Sequence, residues 1–307
     1  MHCAASRTRV WLLQGAFALF AGAVLSASAV AASIDMPPVT EPQSAEHHVG
    51  KVIWADLVTP DLASAERFYG GLFGWTFSNF QAGGTNYAVA RLDGRPVGGL
   101  FERALSPTEQ RQPAWLTFMA VSDIESTRKI ALAHGATVLA EPRYLPHRGR
   151  QAVLSDPEGA VFAVLASSSG DPPDYMAQPG EWIWSSLLAT DPDTDAAFYQ
   201  ELFGYDVFEL QSDDGLQHLI LSTDDFSRAS VNTLPADGAR RHPHWINFVR
   251  VTDTVSTANT AVTLGGRVLV EPRVDRHGSK VAVIADPSGA PIGLMEWSEA
   301  MTSGEAK

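Results

Sequence analysis

The chain has 307 residues, which accommodates two domains of ordinary size. Its formal net charge of −13 argues against a nucleic-acid partner, because phosphate binding needs clustered Lys and Arg, and it disfavours adhesion to anionic lipid. Cys3 is the single cysteine, so neither a disulfide framework nor a Cys-based zinc site is available.

Residues 1–31 read as a signal peptide. Arg7 and Arg9 form a positive start, Val10 to Leu25 is an apolar run, and Ala29-Val30-Ala31 is an A-x-A cleavage site. Export is therefore expected, to the periplasm or outside the cell, with an uncleaved membrane anchor as the alternative. Cleavage removes two Arg and no acid, giving a mature charge of −13 − 2 = −15, and takes Cys3 with it. Residues 32–50, with Pro37-Pro38, Pro42 and His47-His48, read as a flexible linker.

Lys51 to Val58 is β-branched and apolar, the pattern of a strand. Asp61 then suits a helix N-cap, and Leu62, Ala65, Phe68, Tyr69, Leu72 and Phe73 follow at helical spacing until Gly74. Strands are expected at 75–81, 86–92 and 96–102, between turn signals at Gly83-Gly84 and Asp93-Gly94. The scheme then restarts: a strand at 115–121, a helix at 124–134, and strands at 137–144, 150–154 and 161–165. Each unit is strand–helix–strand–strand–strand, or βαβββ.

The whole arrangement occurs twice. Trp54 maps onto Trp184, a shift of 184 − 54 = 130 positions, and the same shift carries Asp61, Phe68-Tyr69 and Leu72-Phe73-Gly74 onto their second copies. It also carries Glu141-Pro142-Arg143 onto Glu271-Pro272-Arg273, His147 onto His277, and Asp156-Pro157 onto Asp286-Pro287. A register kept over most of two halves is an internal duplication. The expected domains are 51–168 and 181–298, joined by a linker at 169–180 and followed by a tail at 299–307. The fold class is α+β, with two tandem domains.

These motifs, Asp61-x6-Phe68-Tyr69-x2-Leu72-Phe73-Gly74 and the Asp-Pro-x-Gly turns at 156–159 and 286–289, resemble the vicinal-oxygen-chelate superfamily of glyoxalase I, bleomycin-resistance proteins and extradiol dioxygenases. The resemblance implies that paired modules curl into a half-open β cup. It also implies, in metal-dependent members, a His on the first strand, a His or equivalent on the fifth and a Glu on the eighth, holding a divalent ion as Lewis acid. Those positions fall near Trp54 and Trp184, on Trp115 to Thr117 and Trp245 to Asn247, and on Ala163 and Gly293. None of these side chains is a usual donor to such an ion. Glu296 stands three positions late, which reverses its face.

No cofactor is therefore expected, with a divalent metal as the alternative. The ligand-binding candidates are Trp54, Trp115, Trp184 and Trp245 as aromatic walls, and Arg143, His147, Arg273 and His277 as polar groups. An Arg there suits a substrate carboxylate and a His suits acid–base work. The competing reading makes the tryptophans core, the Glu–Arg pairs surface salt bridges and the histidines turn residues. Tyr87 has Gln217 opposite it under the 130-residue shift, so the two cups need not bind the same molecule. The leading expectation is a metal-free binder of a small, partly apolar or aromatic ligand. The alternatives are a metal-dependent lyase or dioxygenase and a non-catalytic scaffold. Two halves in one chain suit a monomer with an internal pseudo-dimer.

Overall fold

The computed structural model describes residues 36–104, 112–211, 215–235, 242–275 and 278–297. The expected signal peptide, the expected tail and His277 lie outside these residues.

The first half runs β1 (Val52–Thr59), α1 (Leu62–Phe73), β2 (Thr76–Ala82), β3 (Thr85–Leu92), β4 (Arg95–Glu102), β5 (Ala114–Ala120), α2 (Ile124–Ala133), β6 (Thr137–Leu145), β7 (Gly149–Ser155) and β8 (Val161–Ser167). The second half repeats it: β9 (Trp182–Ala189), α3 (Pro192–Phe203), β10 (Asp206–Glu209), β11 (His218–Thr223), β12 (Phe226–Thr233), β13 (His244–Arg250), α4 (Thr254–Thr263), β14 (Arg267–Val274), β15 (Lys280–Ala285) and β16 (Pro291–Glu296). Local chemistry sets the boundaries. Asp61 Oδ1 accepts from Ser64 N at 2.9 Å to open α1, and Gly74 closes it at φ 74°, where a Cβ would be strained. Asp191 caps α3 in the same way, with Pro192 in the first turn.

Each half forms one eight-stranded sheet, ordered β2-β3-β4-β1-β5-β8-β7-β6 in the first and β10-β11-β12-β9-β13-β16-β15-β14 in the second. The central strands β1 and β5 pair antiparallel, while β1–β4 and β5–β8 pair parallel. This is the expected cup, built twice. Along the central strands, alternate residues point into the cup and away from it. Trp54, Leu116 and Phe118 share one apolar cluster inside the first cup, whereas Ala55, Leu57 and Trp115 belong to a cluster on the back.

The back clusters are shared between halves. One joins α1 and the back of its own sheet to Val249, Ile284, Ile292 and Leu294 of the second half. The other joins Met119, Leu154, Phe162 and Val164 to Leu187, Tyr199, Phe203 and Trp245. A polar relay crosses each cluster. Trp115 Nε1 donates to the Tyr69 hydroxyl at 3.0 Å, which donates to Asp286 Oδ2 at 3.1 Å. In the mirror copy Trp245 Nε1 donates to Tyr199 at 3.0 Å, and Tyr199 donates to Asp156 Oδ2 at 3.0 Å. Burial raises both tyrosine pKa values well above the ordinary, so the hydroxyls stay protonated donors. The other oxygen of each Asp holds its own turn: Asp156 Oδ1 accepts from Gly159 N and Ala160 N at 2.8 and 2.7 Å. Between the halves Asn247 Oδ1 accepts from Thr117 Oγ1 at 3.1 Å and Ser185 Oγ at 2.7 Å.

The linker expectation needs correcting. Residues 36–50 carry no regular secondary structure, yet they are docked as a strap along the first cup. Met36 and Val39 are buried in its apolar cluster. Val39 N and Thr40 N donate to Ser169 Oγ at 3.0 and 3.2 Å, Ser44 N donates to the Ser169 carbonyl at 2.9 Å, and Asp171 N donates to the Glu46 carbonyl at 2.9 Å. These long-range bonds satisfy the backbone without a helix or ladder.

One position breaks the symmetry of the back. Ala65 lines a cleft of about 190 Å³ beside Asp286, whereas its twin Asp195 is fully buried beside Asp156. Neither Asp195 oxygen meets a donor, and the protonated carboxyl has the Glu158 carboxylate as its hydrogen-bond acceptor. Burial, with repulsion from Asp156 and Glu158, pushes its pKa up to about 9. A carboxyl whose folded value is raised contributes most favourably in acid, and that contribution is lost as pH climbs from about 4 through the folded value. Asp195→Ala is therefore expected to raise thermal stability at pH 8–9, by about 1–3 kcal/mol for removal of a buried carboxyl that meets no donor. The gain should shrink towards pH 5. Denaturation of both proteins across that range checks this, and a gain that does not grow with pH counts against it.

Candidate functional site: two cups with different fillings

Strand alternation puts Trp54 and Asp56 of β1 into the first cup, and pairing sets Trp54 beside Phe118 and Phe118 beside Ala163. A row of indole, phenyl and methyl thus runs across the floor. Beside it Asp56 Oδ1 accepts from Trp54 Nε1 and from the Tyr87 hydroxyl, both at 2.7 Å. The guanidinium of Arg148 lies over the Trp54 ring at 4.1 Å, and Arg148 Nη2 donates to the Tyr87 hydroxyl at 3.3 Å. Arg148 Nε donates to the Pro37 carbonyl of the strap at 2.8 Å. The cup is full: Trp54, Val89, Phe118 and Val153 are all buried.

In the second cup the corresponding row is Trp184, Phe248 and Gly293. Gly293 is required there, since a Cβ would sit 2.1 Å from the Phe248 ring. The counterparts of the four buried wall residues are Trp184, Ile220, Phe248 and Val283, and every one is partly exposed. Phe208 and Leu269 are exposed further out on its strands. A chain of polar groups replaces Asp56, Tyr87 and Arg148. Trp184 Nε1 donates to Ser230 Oγ at 3.0 Å, and Ser186 and Ser230 share a bond at 3.0 Å. Asn232 Nδ2 donates to Ser186 Oγ at 2.5 Å, and its Oδ1 lies 2.5 Å from His218 Nδ1. Because the amide nitrogen is committed to the serines, His218 Nδ1 carries the proton in that bond.

Among the described residues no strap covers this cup. The counterpart of the strap, shifted by 130 residues, is residues 166–180, and the structure already uses these to leave β8 and to anchor the first strap through Ser169 and Asp171. Gly50 N and Gly180 N make the equivalent bonds, to the carbonyls of Ala120 and Arg250.

Of the sequence-derived candidates, Trp54 and Trp184 lie on the cup floors, and the ladders place Arg143 and Arg273 on the same concave faces further out, Arg143 beside Gln151 and Arg273 beside Val281. Trp115 and Trp245 lie on the back, as members of the Tyr–Asp relays. The fifth-strand position of the floor row is therefore Phe118 or Phe248, one residue past the window expected. Arg143 is partly exposed on β6, and Arg273 is exposed on β14. Glu141 pairs with Arg128, at 3.1 Å, rather than with Arg143. His147 is an exposed turn residue at φ 62°. Ladder registers also place His218, not Gln217, opposite Tyr87: Tyr87 pairs with Phe101, and His218 with Asn232. Glu296 Oε1 accepts from Thr254 N at 2.6 Å and so caps α4 on the back.

Arg148 was missed because it belongs to no repeat; its counterpart is Gly278. The spacing of Trp54 and Asp56, two apart on a strand, was the available signal for Asp56.

A glyoxalase-like domain model matches residues 53–165 and again residues 185–295. The chain belongs to the glyoxalase-like family. It is a tandem member of the vicinal-oxygen-chelate superfamily. The anthracycline biosynthesis protein DauV of Streptomyces sp. (strain C5) is 32% identical, over 82% of this chain and 94% of its own. CFP32 of Mycobacterium tuberculosis, which bears a glyoxylase name, is 28% identical over 83% of this chain and 98% of its own. The Mn(II)-bound glyoxalase of Novosphingobium aromaticivorans superposes with a TM-score of 0.58 at 16% identity, covering 81% of this chain and 82% of that one.

That glyoxalase holds its ion in a fold like this one, so the donor set here can be tested for fit. The floor rows Trp54–Phe118–Ala163 and Trp184–Phe248–Gly293 supply no nitrogen or oxygen ligand. Among the described residues no group of three His, Cys, Asp or Glu could hold a metal ion. These side chains do not fit the ion.

The two floor tryptophans have different surroundings, which yields a test. Trp54→Ala is expected to destabilise the protein by about 3–5 kcal/mol, since it leaves a cavity under Arg148. Trp184→Ala, in a partly open wall, should cost less than half as much. Urea denaturation of both variants measures this, and equal losses would contradict the asymmetry.

Proposed function

We propose that this protein is exported and monomeric, and binds one planar, largely apolar small molecule in its second cup without a divalent ion. The observation that carries this is the exposure difference: four wall positions buried in the first cup are partly exposed in the second. Trp184 and Phe248 offer ring faces to a flat ligand, and the serine–asparagine–histidine chain offers hydrogen bonds to its oxygens. The similarity to DauV, which is named for anthracycline biosynthesis, supports a fused-ring aromatic as the class. Binding of this kind sequesters or carries the ligand and requires no chemical step. Export rests on the amino-terminal pattern, and amino-terminal sequencing of the secreted protein should begin at Ala32.

Daunorubicin, a fluorescent anthracycline, is a direct probe. Titration should quench its fluorescence saturably, and Trp184→Ala and Phe248→Ala should each weaken binding about tenfold or more, in keeping with the loss of an aromatic wall. Chelator treatment should leave the affinity unchanged, and elemental analysis should find far less than one transition metal ion per chain. Binding that needs a metal, or that ignores both aromatic substitutions, would refute the reading.

A further inference from the structure

The first cup presents a different chemistry. Arg148 is fully buried, and its Nη1 has no hydrogen-bond partner. An unpaired donor on a buried cation is among the rarer features of a folded protein, because the group has lost water and gained nothing in exchange. Its charge is balanced only at one remove. The Tyr87 hydroxyl accepts from Arg148 Nη2 and donates to Asp56, so the cation and the carboxylate meet through a phenol. Among the described residues no carboxylate forms an ion pair with Arg148. What faces its Nε is the neutral carbonyl of Pro37, on the strap.

The strap therefore fills the place of a ligand. Its carbonyl takes one guanidinium donor, and Met36 and Val39 fill the apolar cup beside Trp54 and Phe118. A carboxylate would do more than the carbonyl, since it brings a full charge and can engage two donors of the fork side by side. The indole of Trp54, stacked on the guanidinium, offers a flat wall to a ring attached to such a carboxylate. Next to the Arg148 contact, Val39 N and Thr40 N both donate to the side chain of Ser169, while its carbonyl accepts from Thr40 Oγ1 and Ser44 N. That side chain lies beyond β8, away from the floor row.

We propose that the first cup is a second binding site, for a small aromatic carboxylate, which docks on Arg148 by displacing residues 36–40 of the strap. The site is separate from the second cup and differs from it in ligand charge. The absence of an arginine counterpart at Gly278 restricts it to the first half.

The probe is benzoate, with benzamide as its neutral isostere, on the mature full-length protein. Benzoate should bind the Ser169→Ala protein about tenfold more tightly than the parent, because the strap is then easier to lift. Benzamide, which brings no charge to Arg148, should gain nothing from Ser169→Ala. Saturating benzoate should speed hydrogen exchange at the Val39 and Thr40 amides of the parent protein, a readout that needs no variant. Arg148→Lys, which keeps the charge and loses the fork, should weaken benzoate at least tenfold. Equal benzoate affinity with and without the Ser169 hydroxyl would overturn the proposal, as would benzamide gaining as much from Ser169→Ala as benzoate does, or unchanged exchange in the strap. Trp184→Ala should leave benzoate affinity intact, so failure of the second-cup reading and failure of this one are separately visible.

Discussion

Two buried phenols tie the halves of this structure together across their shared apolar clusters. The hydroxyls of Tyr69 and Tyr199 each accept a hydrogen bond from an indole N–H of their own half and donate one to an aspartate of the other. Kept protonated by burial, they can act in only one direction, so each relay fixes a strand, a helix and a turn from two domains at once. This accounts for the duplicated motifs. Phe-Tyr in the first helix of each half and Asp-Pro before the last strand are the two ends of a clasp, and they carry no chemistry of their own. The clasp closes the backs of both sheets in shared apolar clusters, and each cup faces away from its twin.

With the frame thus doubled, any functional difference must come from what stands on the concave faces. There the halves have diverged almost completely. One has an arginine, a tyrosine and an aspartate locked under an amino-terminal strap. The other has serines, an asparagine and a histidine beneath a wall that reaches solvent. The shared element is negative: floor positions that hold a metal set in other members of this superfamily carry rings and small groups here. A fold that supports many reactions has kept its geometry and changed its content.

Much of this was legible in the sequence, for physical reasons. Duplication shows as a fixed offset, and helix ends show as Asp and Gly because capping is local chemistry. What a strand residue faces is harder to read, because a displacement of one residue reverses it. Trp115 and Trp245 were expected in the cups for that reason, and they serve the clasp instead, while Phe118 and Phe248 take the floor. A one-residue insertion before β11 likewise hid the match between Tyr87 and His218. The strap was illegible altogether. It has no periodicity, and its partners, Ser169 and Asp171, lie more than a hundred residues away. Arg148 was overlooked because attention to repeated residues passes over those that occur once.

The central claim is that two equivalent frames have one closed cup and one open cup. The stoichiometry of a planar, uncharged aromatic ligand measured by isothermal titration calorimetry tests it most directly. The account predicts one molecule per chain, at a site abolished by filling the second cup through Ser230→Trp. Two equivalent molecules per chain, or one whose binding survives that substitution, would contradict it.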